Sequence, residues 1–241
     1  MIMNIYECEI SLHENTFFSS REINNFYQTE ALLGNYALSY AFGFISSPYN
    51  NNKILYKQHL TSLNDRDIYI TPAKVVGKPK YAISQFNATS ETYWSKVEQN
   101  AISTDINVKI GKSKGARAAN IPQIGRIKML AIGSIFRCYI ISKNELEIPQ
   151  YIRLGKFMSK AKVETTKIDY KISVEQESFV CNILLNPVDL SDDSKLSVYD
   201  LFSVHPVPLI DNARIISKAY QLNNGLKLPY NMYFGVAGLT A

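Results

Sequence analysis

Three stretches of this sequence carry basic residues and no acidic ones, and the chemistry open to them is the binding of phosphate. Segments 68–90, 106–144 and 151–163 hold 3, 8 and 4 Lys/Arg, while the rest of the chain carries 11 basic and 21 acidic residues. The net charge of +5 conceals this segregation, which predicts an electropositive surface for a polyanion on an otherwise acidic protein. In the third stretch, Tyr151-Ile152-Arg153-Leu154-Gly155-Lys156-Phe157-Met158-Ser159-Lys160 interleaves cations with aromatic and apolar groups. As a helix it would set Arg153, Lys156 and Lys160 on one face, although Gly155 weakens a helix there. Cations beside aromatics suit single-stranded RNA, whose phosphates pair with Arg/Lys while its bases stack. A surface segment whose long side chains cover the core is the alternative.

The second stretch contains Gly111-Lys112-Ser113-Lys114-Gly115-Ala116-Arg117, small and basic with little to bury. A nucleotide-binding P-loop would need glycine at position 106, which is Ile106, so that motif is rejected. An exposed glycine-rich loop remains, in which Lys112, Lys114 and Arg117 supply charge to a phosphodiester or simply to solvent.

Catalytic and metal signatures are sparse. His13, His59 and His205 are far apart and match no ligand spacing, so neither a metal nor any other cofactor is expected. No serine-hydrolase, zinc-protease or paired-carboxylate motif occurs. His13, at the end of the first strand, could join a Tyr and a Lys in metal-independent RNA cleavage; a local polar role is the other option. Cys8, Cys138 and Cys181 form no metal or disulfide framework, and Cys8 and Cys138 sit in apolar strand patterns as small core residues. No apolar run reaches the roughly 18 residues that span a bilayer, and the start lacks a signal-peptide core. A cytoplasmic location is expected.

The elements that must position these groups follow from periodicity. Residues 3–12 alternate as a strand. Residues 20–42 predict a helical region with Ser20 as N-cap and Gly43 as terminator. Residues 46–53 form a polar loop, 66–71 and 81–86 are short strands around a Lys/Pro/Gly loop at 74–80, and Ile102–Ile110 is a further strand. Arg126–Ala131 and Ile135–Ile141 predict paired strands around Ile132-Gly133-Ser134. Strands at 163–175 and 178–185 lead to an acidic loop at 189–195 and a tail of short elements. This order indicates an α+β fold with a β-rich C-terminal part.

Several segments together resemble a known family. Ser11-Leu12-His13-Glu14-Asn15-Thr16-Phe17-Phe18-Ser19-Ser20-Arg21-Glu22-Ile23, Gly34-Asn35-Tyr36-Ala37-Leu38-Ser39-Tyr40-Ala41-Phe42-Gly43, Ile70-Thr71-Pro72-Ala73, Gln85-Phe86-Asn87-Ala88, Gly125-Arg126-Ile127-Lys128 and the stretch 152–161 are similar to the Csc-one proteins. These are the Cas-five-type subunits of type I-D CRISPR Cascade. The resemblance implies an RRM-like, ferredoxin-type RAMP core over 1–163, with a glycine-rich loop, and a β-rich C-terminal extension over 164–241. It implies a non-catalytic subunit that caps the 5′ handle of the CRISPR RNA beside the protospacer-adjacent motif of target DNA. Csc-two backbone subunits and the Cas-ten-d large subunit would be its neighbours. A relative in another subtype is itself the ribonuclease, which keeps cleavage of precursor RNA as the alternative. The usual RRM aromatic signature is absent, so loops and basic segments are expected to bind the strand. The expected phosphate contacts are Lys109, Lys112, Lys114, Arg117, Arg126 and Lys128, then Arg153, Lys156 and Lys160, with Arg21 at the start of the predicted helix.

Overall fold

A computed structural model describes residues 2–23, 26–45, 55–87 and 124–236 of the protein. Strand β1 (Asn4–Leu12) is its axis. Tyr6, Cys8, Ile10 and Leu12 are buried while Glu7, Glu9 and Ser11 stay partly open, as the alternation predicts, and Ile5 on the second face is buried as well. β1 lies between β9 (Ile135–Ser142) and β11 (Ser159–Ile168), antiparallel to both. Cys8 and Cys138 face each other across β1 and β9, free and fully buried.

The sheet continues outward on both sides. β10 (Tyr151–Leu154) pairs with β11, while β5 (Ile68–Ile70) and β6 (Ala73–Val75) share β9, and β4 (Leu32–Leu33) closes on β6. These seven antiparallel strands curl into a half-barrel. Helices α1 (Asn35–Ala41) and α2 (Tyr56–Asn64) pack onto it through Tyr36, Leu38, Leu60 and Leu63, all buried. Filling such positions stabilises by about 1.5–3 kcal/mol per large side chain.

A second sheet has the order β2 (Arg21–Ile23), β3 (Phe26–Gln28), β8 (Ile124–Leu130), β7 (Tyr81–Asn87), with β3 and β8 parallel. The C-terminal part adds three small sheets. They are formed by β12 (Tyr170–Ile172), β18 (Ala219–Leu222) and β19 (Lys227–Pro229); by β13 (Glu177–Cys181), β17 (Ala213–Ser217) and β14 (Lys195–Leu196); and by β15 (Asp200–Phe202) with β16 (Leu209–Asp211). Position 163 falls inside β11, whose pairing with β1 runs on to Ile168. One apolar cluster extends from Ile5 to Phe234.

Several expectations need correction. Strand outweighs helix, 46% to 10% of the described residues, so the fold is mostly β rather than evenly α+β. The helix expected over 20–42 survives only as α1. Its first part is β2, β3 and β4, because Ile23, Phe26 and Tyr27 suit strands and backbone pairing with β8 outweighs their helical spacing. Ser20 caps no helix; its hydroxyl accepts from the Glu30 N–H at 3.1 Å. The segments 126–131 and 135–141 are strands, but they are not paired together. β8 pairs with β3 and β7, β9 pairs with β1, β5 and β6, and the chain changes sheet at Gly133 (φ 74°). Residues 73–75 form a strand where a loop is expected, and α2 has no counterpart in the sequence reading. The strand expected at 102–110 and the glycine-rich loop at 111–120 lie outside the described residues. Among the described residues, no helix is long and apolar enough to cross a membrane.

Candidate nucleic-acid interface

The stretch 151–160 is a β-hairpin, not a helix. β10 and β11 pair Leu154 with Ser159, and Gly155-Lys156-Phe157-Met158 makes the turn. Gly155 has φ 69°, and a Cβ there would overlap the Phe17 carbonyl oxygen, so only glycine brings the turn against residues 16–17. Phe157 stacks on Phe17 with centroids 5.4 Å apart, and the Lys156 N–H donates to the Phe17 carbonyl at 2.9 Å.

Cross-strand pairing does what helical spacing was expected to do. Arg153 and Lys160 are direct partners, as are Tyr151 and Lys162, so three cations and a tyrosine share one face. Like charges directly opposite each other repel. Glu14 offsets part of this, lying 3.6 Å from the Arg153 guanidinium and accepting from the Lys160 N–H at 2.6 Å. The Lys160 ammonium lies over the Tyr151 ring at 4.3 Å, and His13 meets that ring edge-on at 6.1 Å. Lys162, absent from the expected contacts, joins this face but is engaged by Glu164 at 2.7 Å. That carboxylate raises the Lys162 pKa and is itself held low. Among the described residues no carboxylate lies within ion-pair distance of Lys156 or Lys160.

The hairpin forms one wall of a groove of about 1390 Å³. Arg153, Lys156 and Lys160 line it with Tyr151, Tyr40 of helix α1 and Val204–Val207, while Tyr36 borders it but is buried, 2% exposed. Tyr56 of α2 lines it too, 5.4 Å from Tyr36 and 6.3 Å from Tyr40 by ring centroids. The Tyr40 hydroxyl hydrogen-bonds to His59 Nδ1 at 2.7 Å. Burial, then the nearby Asp189 charge, pushes the Tyr36 hydroxyl up to about 12.

A second cation group lies on the small sheet. Arg21 is opposite Gln28 and Gln28 opposite Lys128, while Phe26 is opposite Arg126, so Arg21, Lys128 and Arg126 share a face. Lys128 sits 3.8 Å over the Tyr81 ring, and Ile23 and Ile83 are exposed beside it. Arg21 is on a strand rather than at a helix start, and Glu30 neutralises it at 2.9 Å. Residues 14–20 join the two groups. Phe17 touches the hairpin turn, Thr16 bridges to Leu130 of β8, and Phe18 and Ser19 line the groove.

Folding cancels much of the remaining segregated charge. Lys74 pairs with Asp211 at 2.7 Å and Lys143 with Asp67 at 3.4 Å. Arg137 lies between Glu7 (3.4 Å) and Glu9 (3.3 Å). Lys109, Lys112, Lys114 and Arg117 lie outside the described residues. Among the described residues, no group of three His, Cys, Asp or Glu has the arrangement to hold a metal ion.

One buried acid escaped the sequence reading. Asp189, assigned to the acidic loop, is fully buried in a 3-10 turn (Pro187–Asp189). It accepts from Asn35 Nδ2 (2.6 Å), the Tyr69 hydroxyl (3.1 Å) and the Gly235 N–H (2.8 Å). Burial pushes its carboxyl up to about 7, against the pull of those donors. Only the Asn186-Pro187 pair, which caps and starts the turn, signals it in sequence.

A search of curated proteins found no match to the chain. The family model described as type I-D CRISPR-associated protein Cas5/Csc1 matches residues 3–237. The resemblance carried by residues 11–43 and 152–161 thus extends over nearly the whole length, and the chain belongs to the type I-D CRISPR-associated Cas5/Csc1 family.

Proposed function

We propose that the protein is the non-catalytic subunit of a type I-D CRISPR effector complex that binds and caps the 5′ handle of the CRISPR RNA, beside the protospacer-adjacent motif of target DNA. The observation that carries this is the groove. In a member of this family, Arg153, Lys156 and Lys160 line a groove together with the aromatic residues Tyr40, Tyr56 and Tyr151. Opposed like charges, of which only Arg153 has a carboxylate in ion-pair distance, favour an anion beside them. Arg126 and Lys128, across the 14–20 segment, extend the phosphate path, and Lys109, Lys112, Lys114 and Arg117 are its remaining contacts. Arg21, held by Glu30, is the weakest member.

The strand order β11–β1–β9–β5, each antiparallel to its neighbour, supports an RRM-like RAMP core, since a ferredoxin-type sheet has that order. The helix such a sheet sets before its last strand is replaced here by residues 143–150 and β10. In this account residues 1–163 grip the guide and residues 164–241 are an accessory extension, with Csc-two and Cas-ten-d subunits as neighbours in the cytoplasm. Purifying the complex from cells carrying Lys112→Glu, Lys114→Glu and Arg117→Glu together tests the role of the glycine-rich loop. Loss of guide RNA from an otherwise assembled complex is expected; full retention would remove the loop from the interface.

Cleavage of precursor RNA is favoured by one observation, the approach of both His13 and Lys160 to the Tyr151 ring. Incubating pure protein with repeat RNA in EDTA separates the two functions. Intact RNA is expected, whereas site-specific cleavage lost in His13→Ala would make the protein a ribonuclease.

A further inference from the structure

We propose that the outer face of the β13–β17–β14 sheet is a docking surface for another protein subunit, one that presents carboxylates set among aliphatic side chains. The inference rests on the effector-complex reading above and gives the C-terminal part a role in assembly. Alternation along the three strands separates two faces. Phe179, Cys181, Ala213, Ile215 and Ser217 are buried, while Ser178, Val180, Arg214, Ile216 and Lys195 are exposed on the other side. The solvated face of an antiparallel sheet is ordinarily polar. Here Val180 and Ile216 keep 48% and 39% of their surface open. Val198, 68% exposed, lies beside them, its carbonyl accepting from the Arg214 N–H at 2.8 Å.

The register gives each aliphatic group a cation as its direct cross-strand neighbour. Ile216 is opposite Lys195, and Val180 is opposite Arg214, about 5 Å apart for such pairs. Among the described residues no carboxylate lies within ion-pair distance of Lys195 or Arg214. Lys74 and Lys227, which also meet the C-terminal part, are each held by a carboxylate at 2.7 Å. A partner with carboxylates among aliphatic groups would complete the missing ion pairs and bury the methyl groups in one contact. A nucleic acid fits less well. It offers phosphates to cations and base faces to aromatic rings, and the outward residues of these strands include no aromatic one.

The test uses the full chain with purified Csc-two and Cas-ten-d subunits, each assayed separately after nuclease treatment and at two salt concentrations. Wild-type protein is expected to bind one of them, more weakly as salt rises. Val180→Thr with Ile216→Thr keeps the β-branched shape of the strands. It should weaken that binding about tenfold, with melting temperature and RNA affinity unchanged. Lys195→Glu with Arg214→Glu should weaken it at least as much and remove the loss of affinity with salt. Wild-type binding that neither double variant changes overturns the docking surface and leaves the effector-complex reading standing. A loss of RNA affinity in the variants would make the face a nucleic-acid site, and a loss of self-association would make it a contact between copies; either overturns the proposal. Binding of neither subunit by the wild type overturns the effector-complex reading and this inference with it.

Discussion

The β10–β11 hairpin and the Asp189 knot both concentrate charge, and they resolve it in opposite ways. At the hairpin, Arg153 faces Lys160 and only Arg153 has a carboxylate, the half-exposed Glu14, in ion-pair distance, so donors outnumber acceptors and the cations line a groove. At Asp189 a single carboxylate is fully buried, and three protein donors meet it from α1, β5 and the C-terminal segment. A strongly shifted carboxyl often marks a functional site. Asp189 shows the other case: its acceptor positions are filled, it is fully buried, and its work is to tie Tyr233–Gly235 to α1 and β5. Charge left over after folding, rather than a shifted pKa, is the better pointer to the ligand here.

Breaking the knot should have the largest effect. Asp189→Ala strands three buried donors, each costing about 1–3 kcal/mol. Calorimetry should therefore show a loss of several kcal/mol, with the melting temperature falling by tens of degrees or the chain failing to fold. The pH dependence sharpens the point. Asp189 holds its proton up to about 7 in the fold and only to about 3.8 when unfolded. Between those values the folded state binds more protons, so stability falls as pH rises from about 4 to 7 and levels off above. The swing is on the order of 4 kcal/mol, and Asp189→Asn should flatten it.

The hairpin should answer in binding instead. Charge reversal of Arg153, Lys156 and Lys160 together is expected to weaken RNA binding about 100-fold near physiological salt, with a small change in melting temperature, since the Arg153–Glu14 pair is half-exposed and Lys156 and Lys160 have no carboxylate in ion-pair distance among the described residues. A smaller effect follows from the turn. Gly155→Ala forces a Cβ toward the Phe17 carbonyl at positive φ and should cost about 1–3 kcal/mol of stability. RNA binding should weaken in step, because the hairpin is displaced from residues 16–17. Arg137→Gln should change least. It unpairs Glu7 and Glu9 on a half-exposed face, costing about 1 kcal/mol of stability with unchanged RNA affinity. An RNA effect there as large as at Lys156 would erase the distinction between cancelled and surplus cations.

Much of this was legible in the sequence, but unevenly. The period of β1 was clear because one of its faces meets the core throughout, and Cys8 and Cys138 were recognisable as packing groups. The cation and aromatic run 151–160 was found by composition, although its geometry was misjudged. Gly155 reads as a weak point in a helix until Phe17, more than 130 residues earlier, shows that it is the turn of a hairpin. Residues 20–33 misled because aromatics at helical spacing also suit short strands, and their pairing with β8 is a long-range contact no local pattern encodes. Part of the segregated charge is cancelled for the same reason. The partners of Lys74 and Arg137, Asp211 and Glu7, lie 137 and 130 residues away in sequence and join them only on folding. Asp189 looked like part of a solvated acidic run, whereas the donors that admit it to the core come from positions 35, 69 and 235.

The central claim is that surplus cations on the hairpin hold a single-stranded phosphate chain, and the salt dependence of RNA affinity tests it most directly. The nine phosphate contacts proposed besides Arg21 give a log-affinity against log-salt slope of roughly −6. Replacing Arg153, Lys156 and Lys160 with glutamine should bring it to about −4. A slope that stays the same in the substituted protein would contradict the account, because it would mean that those three side chains release no counterions when RNA binds.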